Sequence, residues 1–223
     1  MKSETTSTGQ TVVTGQILVL AKEPVAGRVK TRLCPPYTPD QAARFAAAAL
    51  ADTLDTVSAS AAQVRTLVVD GHYPAPPGWA VTAQRGGPLG ERIANAFADR
   101  ARPGQPTVLI GMDTPQVTAR HLDAALTLLN TWGGPDATLG LAADGGWWAL
   151  GLREPAAAEG LRDIPTSTSD TGDLTLTMLR RSGLRVAMLP VLRDVDTAAD
   201  AVEAAALCAA DSRFAQAVAA VRA

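Results

Sequence analysis

The sequence predicts an α/β fold in which a mainly parallel sheet is covered by helices on both faces. Three observations carry that expectation. Apolar runs of strand length alternate with longer, alanine-rich segments of helical period along most of the chain, the pattern of successive βαβ units. One strand-length run, centred on Val108-Leu109-Ile110, is continuously apolar, as a strand buried on both faces has to be. The 223 residues suit one domain with a sizeable core, and no internal repeat or linker divides them.

Residues 1–15 are rich in Ser and Thr and have no apolar stretch, so a disordered tail is expected there, followed by a single domain over 16–223. The first strand spans 16–21. Its apolar run is far too short for a signal peptide or a membrane span, and the protein is expected to be cytoplasmic, with no membrane partner. A helix follows over 38–58, with Thr38 or Asp40 near its N-cap. Strands over 64–70 and, more weakly, 79–83 flank a Pro-rich surface loop at 72–78. Next come a helix over 88–100, a strand over 107–111 and a helix over 118–131 capped by Thr118. Between strands 137–142 and 147–152 there is room only for a tight turn. That pair is either an antiparallel hairpin, or one of its strands leaves for another position. A helix over 170–182, a strand over 185–189 and a mostly helical remainder complete the chain.

Composition removes several functions. Aromatic residues supply only 4% of the chain, so Ala, Val and Leu must fill most of the core. The formal net charge is −2 and positive charge gathers in one short place, whereas a nucleic-acid binder would show a basic face. Cys34 and Cys208 lie far apart without a CxxC pair and read as free thiols. With His72 and His121 the only histidines, and neither in a motif, a His-based zinc site or a Ser-His-Asp triad is not expected.

Open α/β sheets bind ligands at the carboxyl ends of their strands, so the segments after each strand hold the candidates. After the first strand come Lys22, Arg28, Lys30 and Arg32, with Glu23 the single acid among them. Of the 20 basic residues only Lys2, Lys22 and Lys30 are lysines, which points to a need for compact ammonium groups here. Gly27 permits a positive φ and close backbone approach. The spacing is neither a P-loop nor a GxGxxG turn. Four cations this close are costly to hold together without an anion.

After the third strand, Gln84-Arg85-Gly86-Gly87-Pro88-Leu89-Gly90-Glu91-Arg92 opens a helix, where free amides favour an anion. Asp113 follows the buried fourth strand, in Gly111-Met112-Asp113-Thr114-Pro115. An acid there suits a hard divalent cation, or else it forms an Asx-turn or caps the next helix. Asp144-Gly145-Gly146 precedes Trp147-Trp148. The carboxylate is placed to hold a hydroxyl or act as a base, and the same residues also make a good hairpin turn. Adjacent tryptophans on a strand face opposite ways, so one belongs to the core and the other is free to stack on an acceptor. In Arg193-Asp194-Val195-Asp196-Thr197, Asp196 is either a helix N-cap or a metal ligand, with Asp194 on the same side if the segment is extended.

Taken together these segments resemble a bacterial family of glycosyltransferase-A-like proteins, relatives of nucleotide-sugar glycosyltransferases and of small cofactor-biosynthesis guanylyltransferases. The family pattern K-x-P-x-x-G-x-x-K-T-R-L is met by Lys22, Pro24, Gly27, Lys30, Thr31, Arg32 and Leu33. Similar elements are Q…G-x-L-G-E-R at Gln84, Gly90 and Arg92, G-x-D-x-P at Asp113, D-G-G-Y with Trp147 replacing the tyrosine, and D-x-D-T at Asp194 and Asp196. Two departures stand out. Sugar-nucleotide transferases often have a D-x-D after this strand, where this chain has the single Asp113 with Met112 before it, and Pro165-Thr166-Ser167 replaces a tryptophan that tends to precede the late helix.

The resemblance implies a three-layer α/β/α sandwich of glycosyltransferase-A type with a mostly parallel central sheet. It implies nucleotide contacts from Lys22, Gly27, Arg28, Lys30, Thr31, Arg32, Gln84, Gly90 and Arg92, and Mg²⁺ or Mn²⁺ on Asp113 and Asp196. Asp113 and Asp144 would be catalytic, with Gly145, Gly146 and Trp147 at the acceptor. The expected substrates are a nucleotide sugar, or an NTP, and a small-molecule acceptor. Glycosyl transfer is the leading expectation; nucleotidyl transfer to a phosphorylated small molecule with release of pyrophosphate is the alternative, and nucleotide binding without turnover a third.

Overall fold

The computed structural model describes residues 14–222, so most of the expected N-terminal tail, residues 1–13, lies outside the described residues. Thr14 and Gly15 are held in place. Asn130 donates to the Thr14 carbonyl at 2.7 Å, and the Gly15 carbonyl accepts from the amide of Gln63 at 3.0 Å.

Seven strands form one sheet: β1 (Gln16–Lys22), β2 (Val64–Asp70), β3 (Ala80–Ala83), β4 (Thr107–Gly111), β5 (Ala137–Ala142), β6 (Trp147–Leu152) and β7 (Val186–Leu192). Their order is β3-β2-β1-β4-β6-β5-β7. β6 runs antiparallel to both of its neighbours, β4 and β5, while the other pairings are parallel. The tight turn after Ala142 is therefore an antiparallel hairpin. The order reverses between β1 and β4, and the carboxyl ends of those strands border the crevice such sheets use for ligands.

The helices are α1 (Pro39–Ser58), α2 (Leu89–Arg100), α3 (Ala119–Asn130), α4 (Thr171–Arg181), α5 (Ala198–Leu207) and α6 (Arg213–Arg222). Period-two alternation along the strands sorts them into layers. Ile17, Val19 and Ala21 of β1 pack with Leu50 and Leu54 of α1 and with Leu122 and Leu126 of α3. Leu18, pointing the other way, packs with Ile93 and Phe97 of α2 and Leu179 of α4. The result is the expected three-layer α/β/α sandwich. Helix α1 buries a second stripe outward: Phe45 meets Phe214 of α6 edge-on, with ring centroids 6.3 Å apart, so α5 and α6 sit on the outer side of α1.

Three local differences have physical causes. β7 extends through Pro190 to Leu192; it is an edge strand, where a missing N–H breaks no interior ladder. The C-terminal remainder divides into two helices at 208–212. A 3₁₀ segment, Pro155–Asp163, lies against α2, and Gly90 is the contact point: a Cβ there would collide with the Leu161 carbonyl.

Three helices carry complete capping boxes, in which side chain and backbone exchange bonds across the first turn. They are Thr38 with Gln41, Thr118 with His121, and Thr197 with Asp200. The cap of α5 is thus Thr197, which corrects the N-cap reading of Asp196 and leaves that carboxylate free for other contacts.

Candidate functional site

The side chain at the centre of the carboxyl edge is Lys30. The loop after β1 is pinned from below by Val29, buried in the main core, and by Leu33, buried against α1. Between these anchors Lys30 takes a left-handed conformation, φ 50°, uncommon for a residue with a Cβ. This turns its side chain inward until only 11% of it is exposed. Its ammonium lies 2.8 Å from Asp113, after β4, and 3.2 Å from Asp196, after β7. Arg32 reaches the other oxygen of Asp196 at 3.5 Å. Burial alone would lower the Lys30 pKa, but the two carboxylates outweigh it and hold the pKa above its ordinary value. Two of the four cations here, Lys30 and Arg32, thus find anions within the chain itself.

The Asp113 loop and the segment after β7 are tied together by backbone as well. The Val195 amide donates to the Asp113 carbonyl at 2.9 Å, and Gln116 donates to the Arg193 carbonyl at 2.7 Å. Beside them Asp194 accepts a short hydrogen bond from the Thr114 hydroxyl. Burial pushes the Asp194 carboxyl up to about 7; the Thr114 bond and Lys30 oppose the rise, while the charges of Asp113 and Asp144 add to it. Asp113, Asp144 and Asp194 therefore feel one another across the cleft.

A second constellation lies at the ends of β1, β2 and β3. Gln84 donates to the carbonyls of Ala21 at 2.7 Å and Val68 at 3.3 Å. Its oxygen accepts from Arg92 at 3.2 Å, and Arg92 also reaches Asp70, at the end of β2, at 3.4 Å. The Nε of Arg92 is buried with no partner. Glu23 faces away from the cationic loop: it accepts from the His72 amide at 3.0 Å, and its own amide donates to the Asp70 carbonyl at 2.8 Å.

The remaining sequence candidates are placed as follows. Lys22, Arg28 and Thr31 are exposed, and among the described ion pairs neither Lys22 nor Arg28 takes part. Gly27 has φ 76° and open space around it, so its conformation rather than a close approach calls for glycine. Arg28 lies in a turn and Arg32 in the 3₁₀ segment Thr31–Leu33, so the two do not share one regular helix or strand face. Gly90 is buried in the contact with Leu161 and is fixed by packing.

In the hairpin, Asp144 accepts from the Gly146 amide at 2.9 Å, forming the turn. Gly145, φ 90°, admits the backbone of Ser169, and its carbonyl accepts from the Gly172 amide at 2.8 Å. Pairing between β5 and β6 passes from Gly140–Ala149 to Leu141–Trp147, so Trp148 is the extra residue of a bulge. Trp148 is buried and donates to the Pro190 carbonyl at 3.0 Å. Trp147 is half-buried on the opposite core, so it presents only part of its surface.

Sequence reasoning did not nominate Asp70 or Thr114 for the site. Asp70 was findable as the acid ending a parallel strand; Thr114 was not, because its partner Asp194 is distant in sequence.

Residues 41–168 match the family described as an uncharacterized protein conserved in bacteria (DUF2064). The chain belongs to this family. The match takes in Gln84, Arg92, Asp113 and the Asp144 hairpin, while the Lys30 loop and Asp194–Asp196 lie outside it. Among solved structures, this DUF2064 chain is similar to a candidate nucleotide-diphospho-sugar transferase from Desulfovibrio desulfuricans G20, with 27% identity, a TM-score of 0.79 and 94% of each chain covered. Rv0371c from Mycobacterium tuberculosis H37Rv, in a complex with manganese, shares the fold at 22% identity and a TM-score of 0.52, covering 86% of this chain and 98% of that one. A cytidylyltransferase from Leptospira borgpetersenii shares it at 14% identity and a TM-score of 0.54, covering 94% and 93%. No curated protein matches. Among the described residues no helix is long and apolar enough to cross a membrane.

Proposed function

We propose that this protein is a divalent-metal-dependent nucleotide-sugar transferase. The observation that carries the reading is the convergence of Asp113 and Asp196 on one cationic point beside the switch between β1 and β4. Likeness over 94% of the chain to a candidate nucleotide-diphospho-sugar transferase supports the sugar nucleotide as donor.

The donor set fits Mg²⁺ or Mn²⁺. Two carboxylates already share a single cation, the Lys30 ammonium, at contact distance, and carboxylate oxygens are the ligands hard cations prefer. Among the described residues no three ligating side chains form a ready cage. Mg²⁺ is commonly held by one or two carboxylates plus substrate phosphates, so two suffice. Asp113 and Asp196 would hold the ion, whose chemistry is to neutralise charge developing on the leaving nucleoside diphosphate.

The protein's own residues do the rest. Lys22 at the end of β1, with Arg28 and Arg32 on the segment that follows, all exposed, bind the diphosphate. Arg92, oriented by Gln84 and Asp70, adds a fixed positive charge at the β2–β3 side. Asp144 uses Oδ1 on its own turn and offers Oδ2 to an acceptor hydroxyl, to orient it or accept its proton. A second reading, nucleotidyl transfer to a small molecule, is favoured by the fold shared with cytidylyltransferases.

A thermal-shift screen of NTPs and nucleotide sugars, each with and without Mn²⁺, tests both. A ligand at about 100 times its dissociation constant adds roughly 2.7 kcal/mol. Stabilisation by one nucleotide sugar beyond its NDP supports glycosyl transfer, and preference for an NTP supports nucleotidyl transfer. No metal-dependent shift with any nucleotide overturns both.

A further inference from the structure

We infer that Lys30 is the resident counter-ion of the Asp113–Asp196 pair, so the site takes a metal–nucleotide complex and discriminates against the free metal ion. The inference rests on the metal assignment above and adds a coupling to it. The ammonium stands between the two carboxylates, 2.8 and 3.2 Å away, where a shared cation would have to sit. It is held there by an inward-turned left-handed backbone and is almost wholly shielded from water.

A divalent ion arriving alone must displace this ammonium and leave it buried without an anion, which is strongly unfavourable. A diphosphate changes the balance. Lys30 follows Lys22, at the end of β1, on the segment that also carries Arg28 and Arg32, so a phosphate drawn to these cations gives its ammonium a new anionic partner and frees the carboxylates. Metal and nucleotide then bind with positive coupling, each raising the affinity for the other by the same factor. The chain is poor in lysine, and an arginine fork would not vacate so compact a position as readily.

The test is direct Mn²⁺ binding followed by electron paramagnetic resonance of the free ion, for the wild type and Lys30→Met. Each protein is measured alone and with a mixture of ADP, GDP, CDP and UDP. The expected result is that Lys30→Met binds Mn²⁺ without nucleotide at least about tenfold more tightly than the wild type, roughly 1.4 kcal/mol, and gains less from nucleotide. Equal or weaker Mn²⁺ binding by the variant, with the wild type still binding Mn²⁺ when nucleotide is present, overturns the counter-ion role and leaves the metal site standing. If neither protein binds Mn²⁺ under any condition, the metal assignment itself falls, and this inference with it.

Should Lys30→Met fail to fold, the wild type supplies the second measurement. Its three lysines make a lysine-labelled NMR spectrum simple to read. The shielded Lys30 side-chain signal should shift when Mg²⁺ is added with the nucleotide mixture, relative to the mixture alone, while that of Lys2 stays fixed. An unmoved Lys30 signal, with Mg²⁺ and nucleotide bound, overturns the inference.

Discussion

Replacing Asp194 with Asn removes an ionisation that the folded site resists. The carboxyl moves from 3.8 to about 7 on folding, chiefly through burial and with the Asp113 and Asp144 charges adding to it. The sign follows from proton linkage: with the folded pKa raised, the residue's stabilising contribution is complete below pH 3.8 and is lost as pH climbs to about 7. About three units at roughly 1.4 kcal/mol each set a ceiling near 4 kcal/mol. Asp194 as a residue is only partly buried, so solvent relaxation should reduce this to about 1–3 kcal/mol. Asn keeps an oxygen to accept the Thr114 hydroxyl and carries no charge. In urea unfolding with EDTA present, Asp194→Asn should match the wild type within about 1 kcal/mol at pH 4 and exceed it at pH 8. A variant no more stable than the wild type at pH 8, or one with the same gain at both pH values, would refute the reasoning.

Asp113→Asn weakens one of the two anionic contacts around Lys30 and should abolish the Mn²⁺ dependence of nucleotide binding; an unchanged requirement in the thermal-shift screen would move the metal elsewhere. Gly90→Ala places a methyl group against the Leu161 carbonyl and should destabilise by about 1–3 kcal/mol, read as a lower urea midpoint with the slope unchanged. Thr197→Ala deletes the α5 cap and should cost about 1 kcal/mol, whereas Asp196→Ala leaves that cap in place and should lower metal-dependent ligand binding instead.

Elements with strong local signals were legible in the sequence. The strands on both sides of the switch point have continuous apolar centres, and Thr38 and Thr118 announce their helices by side chains that bond within the first turn. What local signals could not decide was competition between neighbours. Asp196 and Thr197 are both good N-caps, and the box with Asp200 gives the position to Thr197. Trp147 and Trp148 face opposite cores, as alternation leads one to expect; which core each enters is set by a bulge, made possible where Gly140 leaves room for the Trp148 indole. The 3₁₀ segment at Pro155–Asp163 has no helical period long enough to betray it, and its role is seen only where Gly90 meets it.

The Lys30 loop shows most clearly what sequence can and cannot supply. Its charge density made a partner anion necessary, and a bound phosphate was the obvious candidate. The structure provides two carboxylates first, brought from beyond β4 and β7, separations that no local pattern reveals. The electrostatics of the cleft then differ from those of a simple phosphate cradle. Lys30 is matched by Asp113 and Asp196, Arg92 is matched by Asp70, and Asp144 and Asp194 stand close enough to oppose further negative charge. A bare polyanion would meet repulsion from those acids as well as attraction from Lys22, Arg28 and Arg32. A nucleotide whose charge is already partly cancelled by a divalent cation meets less of it and, on the proposed assignment, brings the ion that Asp113 and Asp196 would hold. On the proposed metal assignment, the balance of cations and acids at this edge would therefore favour the metal–nucleotide complex over either component alone.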